Sequence, residues 1–278
     1  MRQLKRALRV FWVAFDRFNR NDGSAMAGFI AFSGFLSLFP FMIVATMLTG
    51  ILVGAERSDT IIESLFRIAP EHVARTLEPV VTEVLSKQSG EVLTVTAVFA
   101  IWVASSAVEA FRIAFDRAYA VPDPRTFLQN RALAILLVFV GAVVAALLGV
   151  SILFSPLILR FLQTVLLLRV PAVASYITYA FGVLVFVGFL MLMHRVLPGR
   201  RLRNCRLWPG VLVTTVLWVG FASGFSTYLS YTPTYTVTYG TLAGVIITLM
   251  FFYLTGATII YGAEVNAALN RIGVDDRR

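Results

Sequence analysis

Few residues in this sequence carry chemistry, and they gather at the ends of long apolar runs. Glu264 and Asn266 close the run Tyr239 to Leu269, and Glu109 and Arg112 close another, three apart on one helix where they can pair. An ionisable side chain within a membrane helix is by default a functional hypothesis, so Glu109, Arg112, Glu264 and Asn266 are read together as a polar cluster serving transport. The bland alternative is that Glu109 and Arg112 are solvated at headgroup level. Tyr253, Ala257 and Tyr261 follow on the Glu264 face at helical spacing, a wall of polar-tipped rings. Pro40 has no backbone donor and its ring clashes with the carbonyl of Leu36, so a kink or break is expected there. Either it is an ordinary proline kink, or Ser33, Ser37 and freed carbonyls line a pathway.

Familiar enzymatic constellations are missing from the pattern. No Walker loop, GxSxG elbow, HExxH helix or dinucleotide fingerprint is present, so no cofactor is expected. His72 and His194 fall on opposite faces of the topology argued below, so no metal site is expected. The lone Cys205 excludes an intrachain disulfide framework.

The elements that must position these groups are long apolar helices. Of 278 residues, 58% are hydrophobic and 14% charged, with mean hydropathy +0.81, which marks an integral membrane protein. Apolar stretches near Ala25 to Gly54, Val92 to Ala110, Ala132 to Phe154, Val173 to Val196, Leu207 to Tyr231 and Tyr239 to Leu269 each reach or approach the roughly 20 residues of a transmembrane helix. The expected fold is an all-α, polytopic bundle of six transmembrane helices over residues 23–270. Before it, residues 1–22 form an amphipathic arm: Leu4, Leu8, Phe11, Trp12, Phe15 and Phe18 recur at helical spacing with Arg and Lys between, which suits the membrane interface. Residues 56–90 are expected as a small external helical cap, with Thr60 and Glu63 at capping-box spacing, and 271–278 as a short tail.

Cations divide 18 against 6 between alternate loops, which places both termini in the cytoplasm. The same distribution accounts for the net charge of +9 and excludes nucleic acid as its reason. Arg125, Arg200, Arg201 and Arg203 lie in the basic loops and are expected to attract lipid headgroups. No short apolar core with a cleavage site opens the chain, so no cleaved signal peptide is expected. From Gly240 to Glu264 the helix climbs roughly 36 Å against a hydrocarbon core of about 30 Å. Glu264 therefore belongs near the cytoplasmic face, and Glu109, about 26 Å below Val92, near the same face.

SLFP at Ser37 to Pro40, the stretch Trp102 to Arg131, and Trp208 through the closing YGTLAG and YGAEVNA resemble the YihY/BrkB family of bacterial inner-membrane proteins. The resemblance covers roughly residues 10–270 and implies six helices with cytoplasmic termini. It sets Ser37, Pro40, Tyr119, Arg125, Tyr239, Gly240, Gly262, Glu264 and Asn266 in family motif positions. Ser33 and Asp116 depart from the pattern, which has an aromatic and an Asn there. An old ribonuclease label on the family finds no catalytic or RNA-binding constellation in these residues. The roles implied are envelope integrity, resistance to killing, and lipid or solute export.

Taken together, the sequence points to a transporter or lipid-translocating permease with membrane lipids as partners and a lipid or small molecule as substrate. The competing readings are a scaffolding envelope protein in which Glu264 and Arg112 tie helices together, and, behind it, a membrane-embedded enzyme.

Overall fold

The protein is described by a computed structural model covering residues 2–53, 90–144, 171–199, 202, 205–231 and 242–275. These residues form seven α-helices and no strand: α1 Arg2–Arg20, α2 Gly23–Val53, α3 Gly90–Tyr119, α4 Phe127–Val144, α5 Pro171–Val196, α6 Trp208–Tyr231 and α7 Leu242–Asp275. Helices matching Phe127–Val144, Trp208–Leu229 and Leu242–Arg271 are long and apolar enough to cross a membrane; Gly23–Leu38 and Ala180–Val196 are shorter apolar stretches. The expected external cap and Arg200, Arg201 and Arg203 lie outside the described residues. α2 continues as helix through position 40, so the expected break at Pro40 does not occur. A missing N–H and one ring clash leave the rest of a 31-residue ladder available to carry the helix on.

The organising element is α7, which packs against α1, α2, α3 and α6, while α3 also lies along α2, and α5 along α6. Each contact uses a different stripe of α7. Val265 and Ala268 meet Val10 and Ala14 of α1, Ile260 meets Ala27 and Ile30 of α2 with Ala110 and Ala114 of α3, and Ile259 and Ala263 join Phe115, Leu190, Met193 and Val211. Small residues let the backbones approach, which matters in a lipid-embedded bundle where packing, with no hydrophobic force between helices, drives association. The closest crossing is α6 on α7: a Cβ at Gly210 would overlap the carbonyl oxygen of Gly262, and one at Gly262 would overlap the Thr214 hydroxyl. Gly210→Ala is therefore expected to force the helices apart and destabilise the protein by about 1–3 kcal/mol or more, read from its unfolding midpoint in mild detergent.

Two turns aim the polar residues. At Asn21–Asp22 the chain reverses between α1 and α2 with Asp22 in the left-handed region (φ 57°). The end of α3 is a Schellman closure: Val121 N–H donates to Asp116 O, and Ala120 N–H to Arg117 O, with Ala120 at φ 52° where glycine is usual. Pro122 follows and prevents the helix from resuming. The closure folds residues 121–125 back toward α3. α4 then opens on a capping box, Thr126 N–H donating to Gln129 Oε1 and Gln129 N–H to Thr126 Oγ1.

Candidate functional site

Glu264 is wholly buried on α7 and is held from α1. Arg17 Nε donates to its Oε2 at 2.7 Å and Asn21 Nδ2 to its Oε1 at 2.5 Å. Arg17 also donates from Nη2 to the carbonyl of Ala118 at 2.5 Å, one of the last carbonyls of α3 that no helical N–H can reach. One guanidinium thus joins α1, α3 and α7. The arrangement follows from α1 itself, where Val10, Ala14, Arg17 and Asn21 recur at helical spacing on the face packed against α7.

Arg112 is the centre of a second network at the α3 end. It clasps Glu109 with two bonds, Nε to Oε2 at 2.9 Å and Nη2 to Oε1 at 2.5 Å, and its Nη1 reaches Asp116 Oδ2 at 2.8 Å and Asp123 Oδ2 at 2.5 Å. The Arg112, Asp116 and Asp123 side chains are only 11–14% exposed, so these pairs are shielded from solvent more than surface salt bridges are. The far oxygen of Asp116 accepts the Gly199 amide, and Asp123 accepts the Arg125 amide and Asn130 Nδ2. Arg125 in turn donates to the carbonyls of Val196, Leu197 and Pro198, closing the C-terminal end of α5. Alongside, Arg131 lies over the Trp102 ring, 3.6 Å from its centroid, and donates to the Trp102 carbonyl.

Burial pushes the Asp123 carboxyl up, but the Arg125 amide, Asn130 and the Arg112 and Arg125 guanidiniums outweigh it and hold its pKa below the ordinary carboxylate value. A depressed carboxylate contributes stability above its unfolded pKa and loses it as pH falls through its folded pKa. Wild-type protein is expected to lose stability on acidification from about pH 5 to about pH 3, and Asp123→Asn to show a shallower loss over that window in unfolding midpoints.

Asn266, also fully buried, makes the third arrangement. Its Oδ1 accepts the Gly210 amide at 2.7 Å, and its Nδ2 donates to Leu207 O at 2.8 Å and to Tyr119 Oη at 3.3 Å. Gly210 follows Pro209 in the first turn of α6, so its amide has no helical acceptor, and Asn266 caps α6 from the neighbouring helix. Tyr119 Oη continues to His194 Nδ1 at 3.2 Å, and the buried His194 ring stacks on Phe115 at 4.6 Å. Among the described residues, no group of three His, Cys, Asp or Glu side chains is placed to hold a metal.

Compared with known proteins, residues 14–278 match the model of the family described as virulence factor BrkB. The chain belongs to that family. YfkH of Bacillus subtilis (strain 168), which carries a ribonuclease-like name, is 28% identical over 275 residues, 92% of this chain and 94% of its own. UPF0761 membrane proteins of Pseudoalteromonas translucida and of Azoarcus sp. are 26% and 23% identical over 90% and 91% of this chain, which covers 82% and 62% of their lengths. No solved structure matches.

In this BrkB-family membrane protein the residues expected as one cluster divide into separate networks. Glu109 and Arg112 pair as their spacing implies, but the expected partnership of Glu264 with them is replaced by Arg17 and Asn21, because the stripe of α7 bearing Glu264 packs on α1. Tyr253 and Tyr261, expected to wall a pathway, bond to Ser24 Oγ at 2.7 Å and to the Phe11 carbonyl at 3.1 Å, fastening α2 and α1 to α7. Ser33 is buried, and Ser37 donates back to Gly34 O within its own helix. Arg125, expected to face headgroups, donates to the carbonyl of the last α5 residue and to the two that follow it. His194 is wholly buried among the helices. A cleft between α6 and α7, lined by Trp218, Phe221, Phe225 and Phe251, is apolar and holds about 10 Å³, room for one water.

Proposed function

We propose that the protein is a bacterial inner-membrane permease of six spans with both termini cytoplasmic, moving a lipid or small solute across the bilayer. The observation that carries this reading is Glu264, a fully buried carboxylate on a helix long enough to span a membrane, neutralised from outside that helix by the arm residue Arg17. A buried charge held by a separate element can be exposed when that element shifts, which is what a pathway with two states requires. The loop-charge asymmetry supports the orientation, and the family's membrane proteins support the placement.

The test is reconstitution into liposomes with headgroup-labelled lipid, and solute flux in parallel. Wild-type protein is expected to exchange lipid between leaflets, or pass solute, faster than empty liposomes, and Glu264→Gln to fall toward the empty-liposome rate. Wild-type rates equal to empty liposomes for both lipids and solutes would overturn the proposal.

One observation favours a second reading, a scaffolding envelope protein. Glu109, Arg112, Glu264 and Asn266 all find their partners inside the chain, as helix ties do. That reading requires Glu264→Gln to lower stability while no flux is measured for either protein.

A further inference from the structure

The arm α1 has one face committed and one face bare. Val10, Ala14, Arg17 and Asn21 are turned to α7. Leu8, Phe11, Trp12 and Phe15 recur three, four and seven residues apart on a face roughly 140° around the helix from it, at 3.6 residues per turn. They are 62%, 41%, 72% and 51% exposed. Four large apolar side chains within about two turns form a contiguous patch, unlike the scattered surface hydrophobics that need no explanation. The patch is held in place: Arg17 and Asn21 grip Glu264, Tyr261 donates to the Phe11 carbonyl, and Phe18 packs edge-on to Tyr261.

Two features say what covers the patch. The first is position. Only Asn21 and Asp22 separate α1 from α2, whose apolar run begins at Gly23, and Arg117 of α3 pairs with Asp22 at 3.1 Å across that turn. A helix tethered this closely to a membrane helix stays at the bilayer edge. The second is charge. Lys5 and Arg9 are exposed and lie between the bare face and the packed face; Arg20 on the same edge pairs with the half-exposed Asp16 at 3.0 Å, so the edge as a whole stays positive. Apolar rings bordered by cations match the headgroup–acyl boundary of an anionic leaflet, where tryptophan is favoured and lysine and arginine meet lipid phosphates. A second copy of the chain fits worse, because an isologous contact through this face would bring the two Lys5–Arg9 edges toward each other.

We propose that α1 docks in the anionic leaflet, with Leu8, Phe11, Trp12 and Phe15 entering the acyl boundary and Lys5 and Arg9 binding lipid phosphates. The inference needs the chain to sit in a membrane and is independent of whether it moves a substrate.

Full-length protein is placed in nanodiscs of phosphatidylcholine alone, or of equal parts phosphatidylglycerol and phosphatidylcholine, with bromine on the acyl chains. The Trp12 contribution is isolated as the difference from Trp12→Phe. Bromolipid is expected to quench Trp12 in discs holding one copy, more strongly in the anionic mixture. The double variant Lys5→Gln/Arg9→Gln is expected to lower the docked-to-undocked ratio by roughly 30-fold in the anionic discs alone, the loss of two surface cations. Its unfolding midpoint in detergent serves as the folding control. Three results would overturn the proposal. Trp12 unquenched by bromolipid but shielded from aqueous acrylamide only in two-copy discs assigns the face to a second chain. Trp12 open to acrylamide in every disc leaves the face in water. Equal quenching in both lipids, unchanged by the double variant, removes the anionic phosphates.

Discussion

Replacing Arg17 with alanine is expected to destabilise the protein by about 3–5 kcal/mol, the cost of stripping one partner from a buried ion pair. The residue left behind is the reason. Glu264 has no exposed surface, and without Arg17 its carboxylate keeps, among the described residues, the Asn21 amide as its side-chain hydrogen-bond donor. The same substitution removes the donor to the Ala118 carbonyl, so the C-terminal end of α3 loses a partner as well. Glu264→Gln alone is expected to cost less, since an amide retains an acceptor for Arg17 or Asn21 and carries no charge to bury. The decisive measurement is the double-mutant cycle. Arg17→Ala with Glu264→Gln should be more stable than Arg17→Ala alone, because the orphaned charge is gone, and the coupling should lie within about 0.5–3 kcal/mol. Strictly additive losses would mean that Arg17 and Glu264 act separately, and the contact at 2.7 Å would then contribute no stability of its own.

Why that pairing escapes a reading of the sequence is instructive. Glu264 and Arg17 stand 247 positions apart, and nothing local relates them. Arg112, also at the end of an apolar run, is the nearer analogue by pattern, and its i,i+3 partner Glu109 is the part of the site that spacing alone reveals. A signal for Arg17 does exist. On α1 it interrupts a stripe of small apolar residues, Val10 and Ala14, and Asn21 continues that stripe one turn on. A cation on the buried side of an amphipathic helix needs a buried anion, and the sequence holds few candidates. The apolar helices themselves were legible, because long uncharged runs constrain the chain more strongly than any single residue does.

The motif GAEVN at Gly262 to Asn266 was legible as a motif and opaque as chemistry. Its parts answer to three different neighbours. Gly262 admits the α6 backbone, Glu264 receives the arm, and Asn266 caps the Gly210 amide, which the first turn of α6 leaves without a helical acceptor. Asp116 stands four residues after Arg112 on the same helix, but Asp123 carries no local sign of the partner it meets. What brings Asp123 to Arg112 is the left-handed Ala120 and the Schellman bonds around it, and an alanine at that position gives no turn signal of the kind glycine would.

Arg112→Gln is expected to be as costly as the loss of Arg17, about 3–5 kcal/mol at neutral pH, with the opposite response to acid from wild type. Wild-type Arg112 satisfies four oxygens from three carboxylates with one planar fork. A glutamine leaves Glu109, Asp116 and Asp123 facing one another without the cation among them, and like charges disfavour ionisation. The Asp123 carboxyl, which this guanidinium helps to hold low, should then rise above its unfolded value. A raised carboxylate destabilises the fold where it is forced to ionise and ceases to do so once protonated, so the deficit of Arg112→Gln should shrink as pH falls from about 7 toward about 4. Over the lower part of that range wild-type protein loses its Asp123 contribution, so the two unfolding curves should converge. Arg112→Lys should fall between them. It keeps the charge, but a single ammonium on a flexible stem cannot hold Glu109 in two bonds while reaching Asp116 and Asp123. Parallel pH profiles for wild type and Arg112→Gln would show that the three carboxylates do not depend on this guanidinium, and that Asn130, Gly199 and the Arg125 amide suffice to hold the α3–α5 junction.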